Sequence, residues 1–238
     1  MIYRIKVRLF LGILFCCQLS ALIAQNDVLI KADSLFSLQK YTEAFTEYQQ
    51  IFNENQTSAS MLLKMAFIQD GLGNYTEALF YLDHYYQKSA NREVIGKIEE
   101  LAEENELSGY TYNDVDYFVA LHTKYRNSVA LALISLIVLF SVYIVIKRKE
   151  NQTPIAAVVI QGIVILALFA VINFKRSKEG IIVSDQTLLR SGPSAGGEPI
   201  DFIEKGHKVK VLSVDQAWAK ISWDGREVYV RNSRIRLI

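Results

Sequence analysis

Three rhythms of apolar and polar residues follow one another along the chain. The first has helical period. Laying residues 41–52 on residues 75–86 aligns Tyr41, Ala44, Phe45, Tyr48, Ile51 and Phe52 with Tyr75, Ala78, Leu79, Leu82, Tyr85 and Tyr86. The spacing i, i+3, i+4, i+7, i+10, i+11 is one stripe of an amphipathic helix. The same 34-residue shift carries Val28, Leu29, Ala32 and Leu38 onto Leu62, Leu63, Ala66 and Leu72, so an earlier helix repeats as well. Each copy reads as helix, short turn, helix. Gly71, Gly73 and Asn74 supply the second turn, and Gln39 with Lys40 occupy the first. Ala44 and Ala78 fall where two helices must approach closely. A unit of this kind buries its stripe only by stacking on a neighbour.

Residues 91–106 continue the helical period with Val94, Ile95, Ile98, Leu101 and Ala102 on one side and glutamates elsewhere, behind Asn91 as an N-cap. A polar terminal helix fits this pattern, with Glu99, Glu100, Glu103, Glu104 and Glu106 as a solvated face. The second rhythm is continuous. Residues 128–146 and 154–174 carry no charge, and about 20 apolar residues are needed to cross a hydrocarbon layer. Two spans are predicted, joined by the basic loop 147–153; a buried hairpin inside a soluble domain is the alternative. Gln161 and Asn173 are their only strongly polar amides, too few for a transport or proton path. Gln161 is placed to bond either a partner helix or a nearby backbone carbonyl.

The third rhythm has period two. Residues 181–238 alternate in short runs, IIVS, TLLR, HKVKVLSV, WAKISW and REVYV, parted by turn signals. Val209 and Val211 oppose Lys208 and Lys210; Ala219, Ile221 and Trp223 oppose Trp218, Lys220 and Ser222. Asp224-Gly225 reads as a hairpin turn. Five or so strands predict a small barrel, with residues 191–199 as its longest loop. Trp218, Trp223 and Tyr229 are the aromatic candidates for a binding groove, Trp218 or Tyr229 partly exposed and Trp223 at least half buried. Arg226, Arg231, Arg234 and Arg236 suit an acidic partner, including the acidic helical region, or a solvated face.

The 34-residue helix pair resembles the tetratricopeptide repeat, with that family's second-helix positions at Tyr41, Ala44, Tyr48 and at Tyr75, Ala78, Leu82; its first-helix tryptophan and closing proline are absent. The resemblance implies a concave surface holding a peptide or helix of another protein. Residues 189–194, 204–212, 217–222 and the closing VYVRNSRIRLI resemble the bacterial SH3-like domain, Val228-Tyr229-Val230 standing where Gly-Trp-Val is usual. That resemblance implies binding of cell-wall peptide or of a protein.

Composition refines the picture. Of 238 residues, 51% are hydrophobic, more than an ordinary soluble chain needs. Net charge is +1, yet residues 25–127 hold 8 basic against 16 acidic residues and residues 175–238 hold 12 against 8, as separate domains would. Residues 1–24 set Arg4, Lys6 and Arg8 before an apolar run and end in small residues, the layout of a secretory signal cleaved after Ala24 or kept as an anchor. The only cysteines, Cys16 and Cys17, lie inside it, so its removal leaves no thiol for disulfides, metal sites or nucleophiles. His84, His122 and His207 are scattered, and no nucleophile motif or phosphate loop stands out.

These readings predict a multi-domain membrane protein. Its parts are a signal (1–24), an all-α tetratricopeptide-like domain (25–108), a juxtamembrane segment (109–127), two transmembrane helices (128–146 and 154–174) around a cytoplasmic loop, a linker (175–180) and an all-β SH3-like barrel (181–238). A signal that delivers residue 25 outside places both terminal domains on the extracytoplasmic, periplasmic side of the inner membrane. The order of modules resembles the repeat-bearing E-type component of the Bacteroides aerotolerance group. That implies a non-catalytic subunit of an envelope complex linked to stress tolerance, acting as a scaffold for protein partners. A cell-wall binding or sensing protein is the alternative. No catalytic residue, cofactor, metal or nucleic-acid partner is expected.

Overall fold

The computed structural model describes residues 27–174 and 176–238. The signal expected at residues 1–24, with Cys16 and Cys17, lies outside them, as does Lys175. The chain divides into two compact units between Thr57 and Ser58.

In the first unit, α1 (Asp27–Ser37) pairs with α2 (Tyr41–Asn53). Ala32 and Ala44 are fully buried, as close helix approach requires. Tyr48 is buried too, and its hydroxyl donates to Asp33 Oδ1 at 2.6 Å. In the turn, Gln39 takes a left-handed φ of 59°.

The second unit repeats the pairing with α3 (Ala59–Gly71) and α4 (Tyr75–Ser89). Ser58 caps α3, its Oγ accepting from the Met61 N–H. Gly73, 34 positions after Gln39, has φ 74°, and glycine adopts that conformation without a Cβ penalty. Ala66, Ala78 and Leu82 are buried. In α5 (Glu93–Glu104), Val94, Ile98, Leu101 and Ala102 face inward, and Asn91 Oδ1 accepts the Glu93 N–H at 3.0 Å.

Next comes α6 (Asp114–Lys149), one unbroken helix. Asn113 starts it with a capping box: its Oδ1 accepts from Val115 and Asp116 N–H, and Asp116 Oδ2 accepts from Asn113 N–H. At 1.5 Å per residue its 36 residues reach about 54 Å, well beyond a hydrocarbon layer of about 30 Å. The juxtamembrane residues 114–127 therefore form a helical stalk continuous with the apolar segment. Returning beside it is α7 (Ile155–Asn173). Both helices are long and apolar enough to cross a membrane, and only 6% of each apolar window is buried, unlike the core of a soluble protein. Gln161 donates to Ser141 Oγ of α6 at 2.7 Å, a hydrogen bond across the hairpin itself. Carbonyls at the α7 end are met from α6, Val171 O by His122 Nε2 at 3.1 Å and Ile172 O by Arg126 at 3.2 Å.

The C-terminal region is an antiparallel sheet of seven strands: β1 (Lys178–Ile182), β2 (Thr187–Arg190), β3 (Pro199–Ile203), β4 (Lys208–Val214), β5 (Trp218–Trp223), β6 (Arg226–Arg231) and β7 (Ile235–Leu237). Their order is β3-β2-β6-β5-β4-β1-β7. Leu189, Val209, Val211, Ala219, Ile221, Val228 and Val230 fill the core. Asp224 and Gly225, φ 48° and 73°, make the predicted tight turn between β5 and β6. The strand β3 was not among the expected runs.

Candidate functional site

Two places in the second unit gather polar and aromatic side chains. One joins the barrel to the helices. Asp83 lies on α4, whose apolar stripe packs toward α3 and which also touches α5 and α6, so its side chain is fully covered. Lys208 opens β4. Alternation turns Val209 and Val211 into the barrel and predicts Lys208 on a solvated face; instead it is 7% exposed, because it points out of the barrel straight at α4.

Lys208 Nζ lies 2.8 Å from Asp83 Oδ1 and 3.0 Å from Glu179 Oε2 of β1. The Tyr112 hydroxyl donates to the same Asp83 oxygen at 2.5 Å, and the Gln87 amide donates to the other. Arg176 holds Glu179 at 2.9 Å and approaches Asp83 at 4.0 Å. Burial alone would push the Asp83 carboxyl up, but Lys208, Tyr112 and Arg176 together hold it below its ordinary value. Burial likewise opposes the charge on Lys208, and Asp83 with Glu179 outweigh it, raising the lysine. Each ion is thus kept charged by the other. Beside them is a cavity of about 120 Å³, which Tyr86, Asp116 and Thr123 also line.

Backbone contacts extend the junction. Lys208 N–H donates to Ser108 O at 3.0 Å, Ser108 N–H to His207 Nδ1 at 3.0 Å, and the buried Tyr110 hydroxyl to Gly206 O at 2.6 Å. A Cβ on Gly109 would lie 2.0 Å from Lys208 O, and one on Gly206 would meet Leu107 and Tyr75. Arg236 pairs with Glu77 and lies 3.7 Å over the Phe80 ring, so of the four arginines that suited either an acidic partner or a solvated face, this one meets the acidic helices.

The second place is an open groove of about 340 Å³ on the barrel, between Ala195 of the loop 191–198 and Gln216, Trp218, Arg231 and Asn232. Arg190 pins that loop by donating to Ala195 O and Gly197 O. Trp218 is half-buried, with the Arg231 guanidinium 5.6 Å from its ring. Tyr229 is also half-buried, but it pairs with Lys220 and Arg190 and does not line the groove. Trp223 packs on the barrel core and lies 5.1 Å from the His207 ring. The three aromatics are therefore not gathered into one site. Of the repeat positions, Ala44, Tyr48, Ala78 and Leu82 are buried, whereas Tyr41 and Tyr75 are half-buried.

Sequence reasoning missed Asp83, Tyr110, Tyr112, Arg176, Glu179 and Lys208 as a group. Their one visible signal was Asp83, a charge on the side of α4 that the repeat stripe leaves open. The C-terminal part is thus a small antiparallel sheet of seven strands around one apolar core. Residues 186–236 match the bacterial SH3 domain family. That match supports a protein- or cell-wall-binding role. No curated protein matches the chain.

Proposed function

We propose that this protein is a non-catalytic scaffold anchored in the inner membrane, presenting a tetratricopeptide-like helical domain and an SH3-like barrel on the extracytoplasmic side. In this reading it serves an envelope complex linked to stress or oxygen tolerance. The observation that carries it is the Asp83–Lys208 pair. A buried pair between α4 and β4 requires both on one side of the membrane, and a hairpin of two spans returns the chain to the side it left. Binding surfaces held on one face raise the effective concentration of each partner for the other.

The non-catalytic reading is supported by what the polar residues already do. Asp83 and Lys208 neutralise each other, His122 meets a helix carbonyl and His207 accepts a backbone N–H. Single cysteines at Ser58, Gln152 and Ser194, with Cys16 and Cys17 changed to Ala, test the arrangement by side-specific labelling. Ser58 and Ser194 should label from outside and Gln152 should not; labelling of Ser194 from inside would refute it.

A second reading, binding or sensing of the cell wall, is favoured by the groove at Trp218. Retention of the protein on isolated wall, lost on Trp218→Ala, would select it over the scaffold.

A further inference from the structure

We propose that the barrel groove beside Trp218 takes the free C-terminal carboxylate of a peptide, with Arg231 as its counter-ion. This rests on the binding role of the barrel and adds the ligand's chemical class. Arg231 is exposed, and among the described residues no carboxylate lies within ion-pairing distance of it. By contrast, Arg236 is paired with Glu77, Arg176 with Glu179, and Arg190 is spent on loop carbonyls. The Arg231 guanidinium lies 5.6 Å from the Trp218 ring, within cation–π reach, so the two side chains face the same groove. A planar fork suits a carboxylate, which accepts two parallel hydrogen bonds.

A second atom points the same way. Asn232 lines the groove; its backbone N–H donates to Ala217 O and its side-chain amide to Asp215 O, while its Oδ1 is buried without a hydrogen-bond partner. That acceptor is covered, so the amide N–H beside a peptide's terminal carboxylate reaches it only when the Asn232 side chain turns toward the groove. The Asp215 carboxylate is engaged by the Gln216 N–H at 2.7 Å. The remaining indole face offers apolar contact to the terminal side chain, and the loop pinned by Arg190 forms the opposite wall.

The test uses the full chain in nanodiscs and an arrayed library of hexapeptides, each made with a free C-terminus and as its C-terminal amide. Free acids should bind, and amides about tenfold more weakly, the size of one charge-assisted hydrogen-bonded contact. Arg231→Gln should lower acid binding to the amide level and leave amide binding unchanged; Trp218→Ala should weaken both. Equal binding of acids and amides, or acid binding indifferent to Arg231→Gln, overturns the carboxylate proposal and leaves the barrel's binding role standing. No binding of peptides, isolated cell wall or membrane proteins overturns both. Wall stem peptides as free acids, compared with the hexapeptides, distinguish a wall ligand from a protein tail, and preference for either supports the proposal. Unchanged thermal unfolding of Arg231→Gln separates lost binding from lost fold.

Discussion

Lys208 and Asp83 stand 125 positions apart and meet at 2.8 Å inside the second unit. Between them in sequence lie both apolar helices. The contact therefore closes a loop that runs through the expected membrane hairpin and back, and the energetics of that loop depend on two ions that have left water.

Removing one ion should be costly because the other is stranded. Lys208→Met is expected to destabilise the second unit by roughly 3–5 kcal/mol, the range for breaking a buried pair. The double variant Asp83→Leu/Lys208→Met should lose far less stability than the two single losses added together, because it strands no ion. Thermal or denaturant unfolding of the four proteins in one detergent gives the coupling; simple additivity would mean that the pair contributes nothing specific.

Close backbone approach at residue 109 makes a second prediction. Gly109→Ala adds a Cβ where Lys208 O already stands 2.0 Å away, at φ 95°. Gly225→Ala adds one in open space, at φ 73°. Both suffer left-handed strain of roughly 1 kcal/mol, but only Gly109→Ala also forces the barrel from the helices. Protease susceptibility of the linker near residue 108 should rise in that variant alone.

Tyr110→Phe leaves the Gly206 carbonyl without its buried donor. A loss of about 1–3 kcal/mol is expected, the cost of an unsatisfied buried acceptor, measured by unfolding midpoint. A variant as stable as the parent would show that water replaces the hydroxyl.

Acid should weaken the assembly in two stages. His84 is buried, which lowers its pKa to about 4, with nearby Asp83 opposing and Arg236 assisting. Its folded value lies below the ordinary 6.5, so its contribution is complete above that pH and is lost as pH falls toward 4. Asp83 is held below its ordinary value, so its contribution is present above about pH 4 and disappears below it. Lys208 is raised, so its share lasts through neutrality and is lost only at strongly alkaline pH. Unfolding midpoints across pH 8 to 3 check this order, and His84→Gln should flatten the upper part of the acid limb.

Periodicity made the helices legible because each stripe has to find a partner. Tyr41 and Tyr75 open α2 and α4, as the 34-residue shift predicts. Even the turn is shared, with Gln39 in the left-handed conformation that Gly73 adopts. The stalk was less visible: residues 114–127 carry Asp, Thr, Lys and Arg, and polarity there looks like a boundary although Asn113 caps an unbroken helix. Pro199 and the glycines before it concealed β3, since both residue types are depleted in strands.

Lys208 was hidden for a different reason. Alternation tells which residues leave the barrel core, not what waits outside. Only α4, far away in sequence, decides that this lysine meets Asp83 and that Lys210, two residues on, stays exposed. The groove was half legible: Trp218 stood out as an aromatic, while Arg231 and Asn232 joined it only through the pairing of Trp218 with Arg231 in β5 and β6.

The most direct measurement is the distance between spin labels on single cysteines replacing Glu99 in α5 and Ser194 in the barrel loop, with Cys16 and Cys17 changed to Ala, in nanodiscs. A docked barrel predicts one narrow distance distribution that broadens when Lys208→Met is added. A broad distribution, unaltered by Lys208→Met, would mean a barrel on a free tether and would contradict the account.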